Sequence, residues 1–119
     1  MQSMKRYLMM AMFAASAMAQ GSPTGVAFTL VNVGTTPLKA VTVYVTGRSY
    51  RVGDVDPGGT RAVLLVPATD SHVELGFADG RRLQVDCYLG HGYQGKLTAR
   101  VTRERVVSIQ DEIRYAGSY

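Results

Sequence analysis

The sequence predicts an all-β fold, an antiparallel β-sandwich of about seven to eight strands, on three observations. After residue 25 the apolar residues recur with period two, the signature of strands with one buried face. Gly, Pro, Asp and Asn interrupt that alternation roughly every ten residues, which is the rhythm of a sandwich or barrel. No stretch keeps helical periodicity through three turns.

Val26 to Asn32 forms the first expected strand, closed by Gly34-Thr35-Thr36-Pro37. Leu38 to Thr46 follows, with Val41, Val43 and Val45 on one face and Thr42, Tyr44 and Thr46 on the other. Ser49 to Val52 is a short strand. Asp54-Val55-Asp56-Pro57-Gly58-Gly59 then reads as a turn, because proline presets one dihedral and glycine accepts positive φ. Thr60 to Val66 contains the unbroken run Val63-Leu64-Leu65-Val66, which predicts a central strand covered on both faces. Ser71 to Phe77 and Arg81 to Tyr88 are joined by a hairpin turn at Ala78-Asp79-Gly80. Lys96 to Thr102 and Arg105 to Ile109 complete the set. The inward residues expected are Phe28, Leu30, Val41/Val43/Val45, Val73/Leu75/Phe77, Leu83/Val85/Cys87, Leu97/Ala99/Val101, Val107 and Ile109.

Residues 1–19 read differently from the rest. Lys5 and Arg6 precede an apolar run from Tyr7 to Ala19, which ends in the small-x-small site Ala17-Met18-Ala19. These are the parts of a secretory signal peptide, cleaved after Ala19. All 6 methionines of the 119-residue chain fall within it. The run is short for a spanning helix, so no stable membrane span is expected after cleavage. Residues 20–25 form a linker and 26–119 the sandwich domain, exported to the periplasm or beyond. The full chain carries 13 Lys+Arg against 9 Asp+Glu, and losing Lys5 and Arg6 reduces the formal charge from +4 to +2. That near-neutral balance argues against nucleic acid as a partner. One cysteine excludes an internal disulfide and a cysteine-rich zinc module.

The succession Val31-Asn32-Val33-Gly34, then Leu38 to Val45, then Tyr50 to Thr60 resembles the front half of bacterial immunoglobulin-like adhesion domains. The mature chain also resembles small exported bacterial proteins with Gly-Asp-x-x-Pro-Gly early and Gly-Tyr-x-Gly late, here Gly53 to Gly58 and Gly92-Tyr93-Gln94-Gly95. The resemblance implies an immunoglobulin-like sandwich and export; its motifs are turn chemistry and bring no site.

Candidate chemistry is sparse. Cys87 and His91 have a Cys-x3-His spacing, but alternation places Cys87 inward with Leu83 and Val85, where a thiol is inert. An intermolecular disulfide is the other use for it. Asp70-Ser71-His72 contains the residue types of a hydrolytic triad, yet neighbours on a strand face opposite ways, so a turn with local hydrogen bonds is expected. His72 and His91, with Glu74 or Asp86, lack metal-ligand spacing, so no metal or cofactor is assigned.

Two features remain as binding candidates. Gly90-His91-Gly92-Tyr93-Gln94-Gly95 either presents His91, Tyr93 and Gln94 for recognition, or is a wide turn with Tyr93 folded back as a corner residue. Tyr44, Tyr88 and Tyr50 fall on outward positions and, with Arg82, Gln84, Lys96 and Arg100, suggest one mixed Tyr/Arg face suited to a protein partner. The chain has no Trp, which weakens a carbohydrate reading. The function expected is non-catalytic recognition of another envelope protein or of a second copy. The alternatives are a structural or stress-protective periplasmic role without a dedicated ligand, a small enzyme, or a carbohydrate-binding module.

Overall fold

The structure is a computed structural model and describes residues 25–115. Residues 1–24 and 116–119, which hold the expected leader and nearly all of the linker, lie outside the described residues. Eight strands follow in chain order: β1 (Val26–Asn32), β2 (Leu38–Val45), β3 (Arg48–Val55), β4 (Thr60–Leu65), β5 (Ser71–Gly76), β6 (Arg82–Leu89), β7 (Tyr93–Val101) and β8 (Val106–Tyr115). They form two four-stranded sheets, β4-β1-β7-β8 and β3-β2-β5-β6, packed as a sandwich. No helix occurs among the described residues.

The alternation that marks the strands also builds the core. Val26, Phe28 and Leu30 from β1 and Leu97, Ala99 and Val101 from β7 meet Val41 and Val43 from β2, Val73 and Leu75 from β5, and Val85 and Leu89 from β6. Burying such side chains contributes about 1.5–3 kcal/mol each against chain entropy. One buried polar residue pins the two sheets together. The Asn32 amide nitrogen donates to the carbonyls of Thr36 (2.9 Å) and Val55 (3.0 Å), while its oxygen accepts from the Gly34 N–H (2.9 Å).

Five pairings are antiparallel, and β1 with β7 is parallel, in register from Val26↔Gly95 to Asn32↔Val101. That parallel pair departs from the all-antiparallel expectation. β1 and β7 are neighbours inside their sheet, and the chain between them passes through the opposite sheet at β2-β3 and β5-β6, returning to this one at β4.

Three further expectations are corrected. Val107 is 43% exposed: Val101 pairs with Val106 and Arg100 with Ser108, so Val107 is the extra residue of a β-bulge. The run Val63-Leu64-Leu65-Val66 is not central, since β4 is an edge strand paired with β1 alone. Leu65 faces the core there and Val63 is half-buried, whereas Leu64 lies on the outer face opposite Ala27 and is 38% exposed. Tyr50 sits opposite the inward Val43 and packs against the core, so it does not belong to an outward aromatic set.

Candidate outer-face recognition site

Cross-strand register brings one group of polar and aromatic residues together on the outside of the β3-β2-β5-β6 sheet. Tyr44 on β2 lies opposite Glu74 on β5, which lies opposite Gln84 on β6; His72 is opposite Tyr88, and Gly76 opposite Arg82. These positions alternate with the buried Val43, Val73, Leu75 and Val85, so the core that holds the sheet also turns this group outward.

The group is ordered by its own contacts. The Arg82 guanidinium lies over the Tyr44 ring, 3.9 Å from its centroid, and donates through Nη1 to Glu74 Oε1. A stacked and ion-paired arginine of this kind is held in one orientation at modest energetic gain, because the site is exposed. Gly76 makes the stacking possible: a Cβ there would come within 2.7 Å of Tyr44 Cε2. His72 and Tyr88 meet edge to face, with centroids 5.0 Å apart and planes at 76°. Tyr88 remains 52% exposed. Beside this cluster Tyr44, His72, Glu74 and Gln84 border a shallow depression of about 320 Å³ whose floor includes Ser71 and Val45.

The remaining candidates lie elsewhere. Arg100 and Lys96 point outward from β7, on the opposite sheet, so the single Tyr/Arg face expected from sequence divides in two. His91 is exposed at one end of the sandwich. Tyr93 is half-buried and packs against the core, its ring against Gly90, which is the corner arrangement rather than the displayed one. Gln94 pairs across to Arg114 and is half-buried. The residues the sequence reading left out of the face are His72, Glu74 and Gly76. The alternation of Val73 and Leu75 on the other side of β5 already implied them.

No family model matches the chain, and no curated protein matches it. A solved structure does. The NMR structure of the protein from Eubacterium rectale is 13% identical, with a TM-score of 0.49, and the match covers 77% of this chain and 98% of that one.

The groups considered for catalysis are engaged otherwise. Ser71 is buried, its hydroxyl accepting from the Thr46 N–H and donating to the His72 carbonyl (both 2.6 Å), while the His72 ring faces the other way. Cys87 is buried with Sγ 3.8 Å from Asp111 Oδ2. Burial first, and the Asp111 carboxylate second, push its thiol up to about 11, so it is a poor nucleophile. Among the described residues no three His, Cys, Asp or Glu side chains gather as a metal set. A cavity of about 280 Å³ at the other end of the sandwich is walled by Pro37, Phe77 and Ala78. Its two cations each have a carboxylate within 3.6 Å, Lys39 with Asp54 and Arg103 with Asp79.

Proposed function

We propose that this protein is an exported, immunoglobulin-like β-sandwich module that binds another envelope protein, without catalysis, through the outer face of the β3-β2-β5-β6 sheet. The observation that carries the reading is the Tyr44–Arg82–Glu74 stack beside the half-exposed Tyr88. Tyr and Arg are the residues most enriched where binding energy concentrates, and a stacked arginine loses less side-chain freedom on binding. The neighbouring depression offers polar groups of both kinds, Glu74 accepting and Gln84 doing either.

Export is supported by the Lys5-Arg6, apolar-run and Ala17-Met18-Ala19 succession. The immunoglobulin-like reading draws on the sandwich of two packed sheets and not on strand order, since β2 and β3 share a sheet here and lie in different sheets in constant-type domains. It also draws on the resemblance of the turn motifs to small exported bacterial proteins.

Immobilised protein incubated with envelope extract tests the binding reading when wild type is compared with a Tyr44→Ala/Tyr88→Ala variant. The expected result is a specific partner retained by wild type and lost by the variant, which keeps wild-type circular dichroism and stays fully folded at the temperature of the assay. Equal retention by both sinks the assignment of this face. Export is tested separately by the N-terminal residue of the cell-produced protein, expected to be Gln20.

A further inference from the structure

We propose that the cavity at the loop end of the sandwich binds a small monocarboxylate, its apolar body against Pro37, Phe77 and Ala78 and its carboxylate between Lys39 and Arg103. This site is separate from the outer-face cluster and stands whether or not that cluster binds a partner. Three connections converge on it: Pro37 comes from the segment between β1 and β2, Phe77 and Ala78 from the β5–β6 turn, and Arg103 from the β7–β8 turn. Loops carried on a rigid pair of sheets are where sandwiches place binding groups. The volume of about 280 Å³ falls just below the roughly 300–1,000 Å³ of sites for drug-sized ligands, so it suits an apolar group of one side chain's size.

The opening is built into β2. Its ladder with β5 runs only from Thr42↔Gly76 to Tyr44↔Glu74, and its register against β3 shifts twice between Leu38 and Thr42. Ala40 lies within that bulge at φ 50°, the one non-glycine residue with positive φ among the described residues. Left-handed backbone at alanine is costly, persists only where its surroundings hold it, and gathers at ligand sites. Both sides of the bulge are held here: the Ala40 N–H donates to Asp54 Oδ1 (2.9 Å), and the Lys39 carbonyl accepts from the Ala78 N–H (3.0 Å). The second bond fixes one cavity wall against the other. Arg103 is placed by a tight turn in which Thr102 Oγ1 accepts from the Glu104 and Arg105 N–H groups (3.2 Å each). The site is therefore formed before a ligand arrives.

Donors outnumber acceptors at the mouth, and this selects an anion. Each carboxylate there gives one oxygen to a backbone N–H, Asp54 to Ala40 and Asp79 to Arg81 (3.0 Å), and turns only the other to a cation. Lys39 Nζ stands 3.6 Å from Asp54 Oδ2 and Arg103 Nη2 3.6 Å from Asp79 Oδ2, long for direct hydrogen bonds. An ammonium has three donors and a guanidinium five, so most of these N–H groups remain for an incoming acceptor. Arg61 and Arg81 add positive charge beside the same two carboxylates. Glu104, next to Arg103 in sequence, borders the groove along β6 and β8 instead. Surplus donors above apolar walls fit a carboxylate on an apolar body, which accepts from both cations at once. A free short-chain acid and the C-terminal residue of a polypeptide share that chemistry.

Amide NMR of the full chain, titrated with isovalerate and with N-acetyl-leucine, tests this, the uncharged amide of each serving as its control. The expected result is saturable shifts confined to the cavity lining, Ala78 and Arg103 among them, with the amides binding more weakly by on the order of tenfold. Lys39→Gln/Arg103→Gln should remove the acid's advantage over the amide, and Ala78→Leu should block both by filling the cavity. All three positions are exposed, so wild-type circular dichroism is expected of each variant. Should a variant fail to fold, the comparison of acid with amide on wild type decides alone. Tighter binding of isovalerate supports a free acid as the ligand, tighter binding of N-acetyl-leucine supports a chain terminus, and equal binding supports their shared chemistry. Absence of saturable shifts from both acids overturns the proposal. So does equal binding of acid and amide, or an acid preference that survives Lys39→Gln/Arg103→Gln.

Discussion

The Asn32 side chain on β1 donates to the Val55 carbonyl on β3 at 3.0 Å, tying one sheet to the other through a buried hydrogen bond. Asn32→Ala removes that donor and its second bond to Thr36, and leaves a buried carbonyl without a partner. The expected cost is about 3 kcal/mol, since each buried group left unsatisfied costs roughly 1–3 kcal/mol. Asn32→Asp should cost more, because a carboxylate oxygen would then face the two carbonyls. Urea unfolding checks both, the midpoint falling while the slope stays constant.

Gly95 and Gly80 both have positive φ, at 124° and 88°, but in different surroundings. A Cβ at Gly95 would overlap the Glu112 carbonyl oxygen on β8, whereas at Gly80 it would meet open space. Gly95→Ala should therefore cost about 3 kcal/mol or more, by backbone strain plus separation of β7 from β8. Gly80→Ala should cost about 1–2 kcal/mol, the backbone term alone. Similar losses for the two in thermal unfolding would disprove the steric account.

Tyr50→Phe deletes the hydroxyl that satisfies both Val66 backbone groups. The site is only half-buried, so water replaces part of what is lost and the expected change is about 1 kcal/mol. Amide hydrogen exchange gives a sharper reading: the Val66 N–H should lose protection while the Leu65 N–H, on the β1 side, keeps it.

The pH dependence has two limbs. The Ala40 N–H, and then Lys39, hold the Asp54 carboxyl below its usual 3.8; the Arg81 N–H, and then Arg103, do the same for Asp79. As pH falls the unfolded carboxyls take up protons first, so stability present above the ordinary carboxylate range is lost below it. Cys87 works at the alkaline end. Its thiol titrates near 9 when unfolded and at about 11 in the fold, so stability falls as pH rises between those values. Cys87→Ser should flatten the alkaline limb and leave the acid limb unchanged, while costing about 1–3 kcal/mol at neutral pH for the buried hydroxyl. An unaltered alkaline limb in that variant would place its origin elsewhere.

All eight strands were legible in the sequence because each depends on alternation and turn chemistry within a few residues. What depended on distant pairing was not. The apolar run Val63 to Val66 looks the same whether a strand is covered by a second sheet or lies at an edge, and only the β1 register distinguishes the two cases. Val107 fits the alternation of its neighbours until one extra residue in the β7–β8 ladder moves it outward. The candidate site shows the same division. Tyr44, Arg82 and Tyr88 were identifiable as outward residues, but whether Arg100 shared their face required knowing that β7 belongs to the other sheet. Asn32, readable as part of an Asn-x-Gly turn, is also the polar pin between the sheets, and no local pattern signals a partner as distant as Val55.

The parallel alignment of β1 with β7 has a kinetic meaning. Val26 is among the first residues of the domain to leave a ribosome or a translocation channel, and Gly95, its neighbour in the sheet, is among the last. Closing so long a loop before any contact compensates for it is slow, and chains dominated by such pairings fold on the order of milliseconds to seconds. Until β7 emerges, β1 has one open side, so this domain completes its fold only after nearly all of its chain has been released.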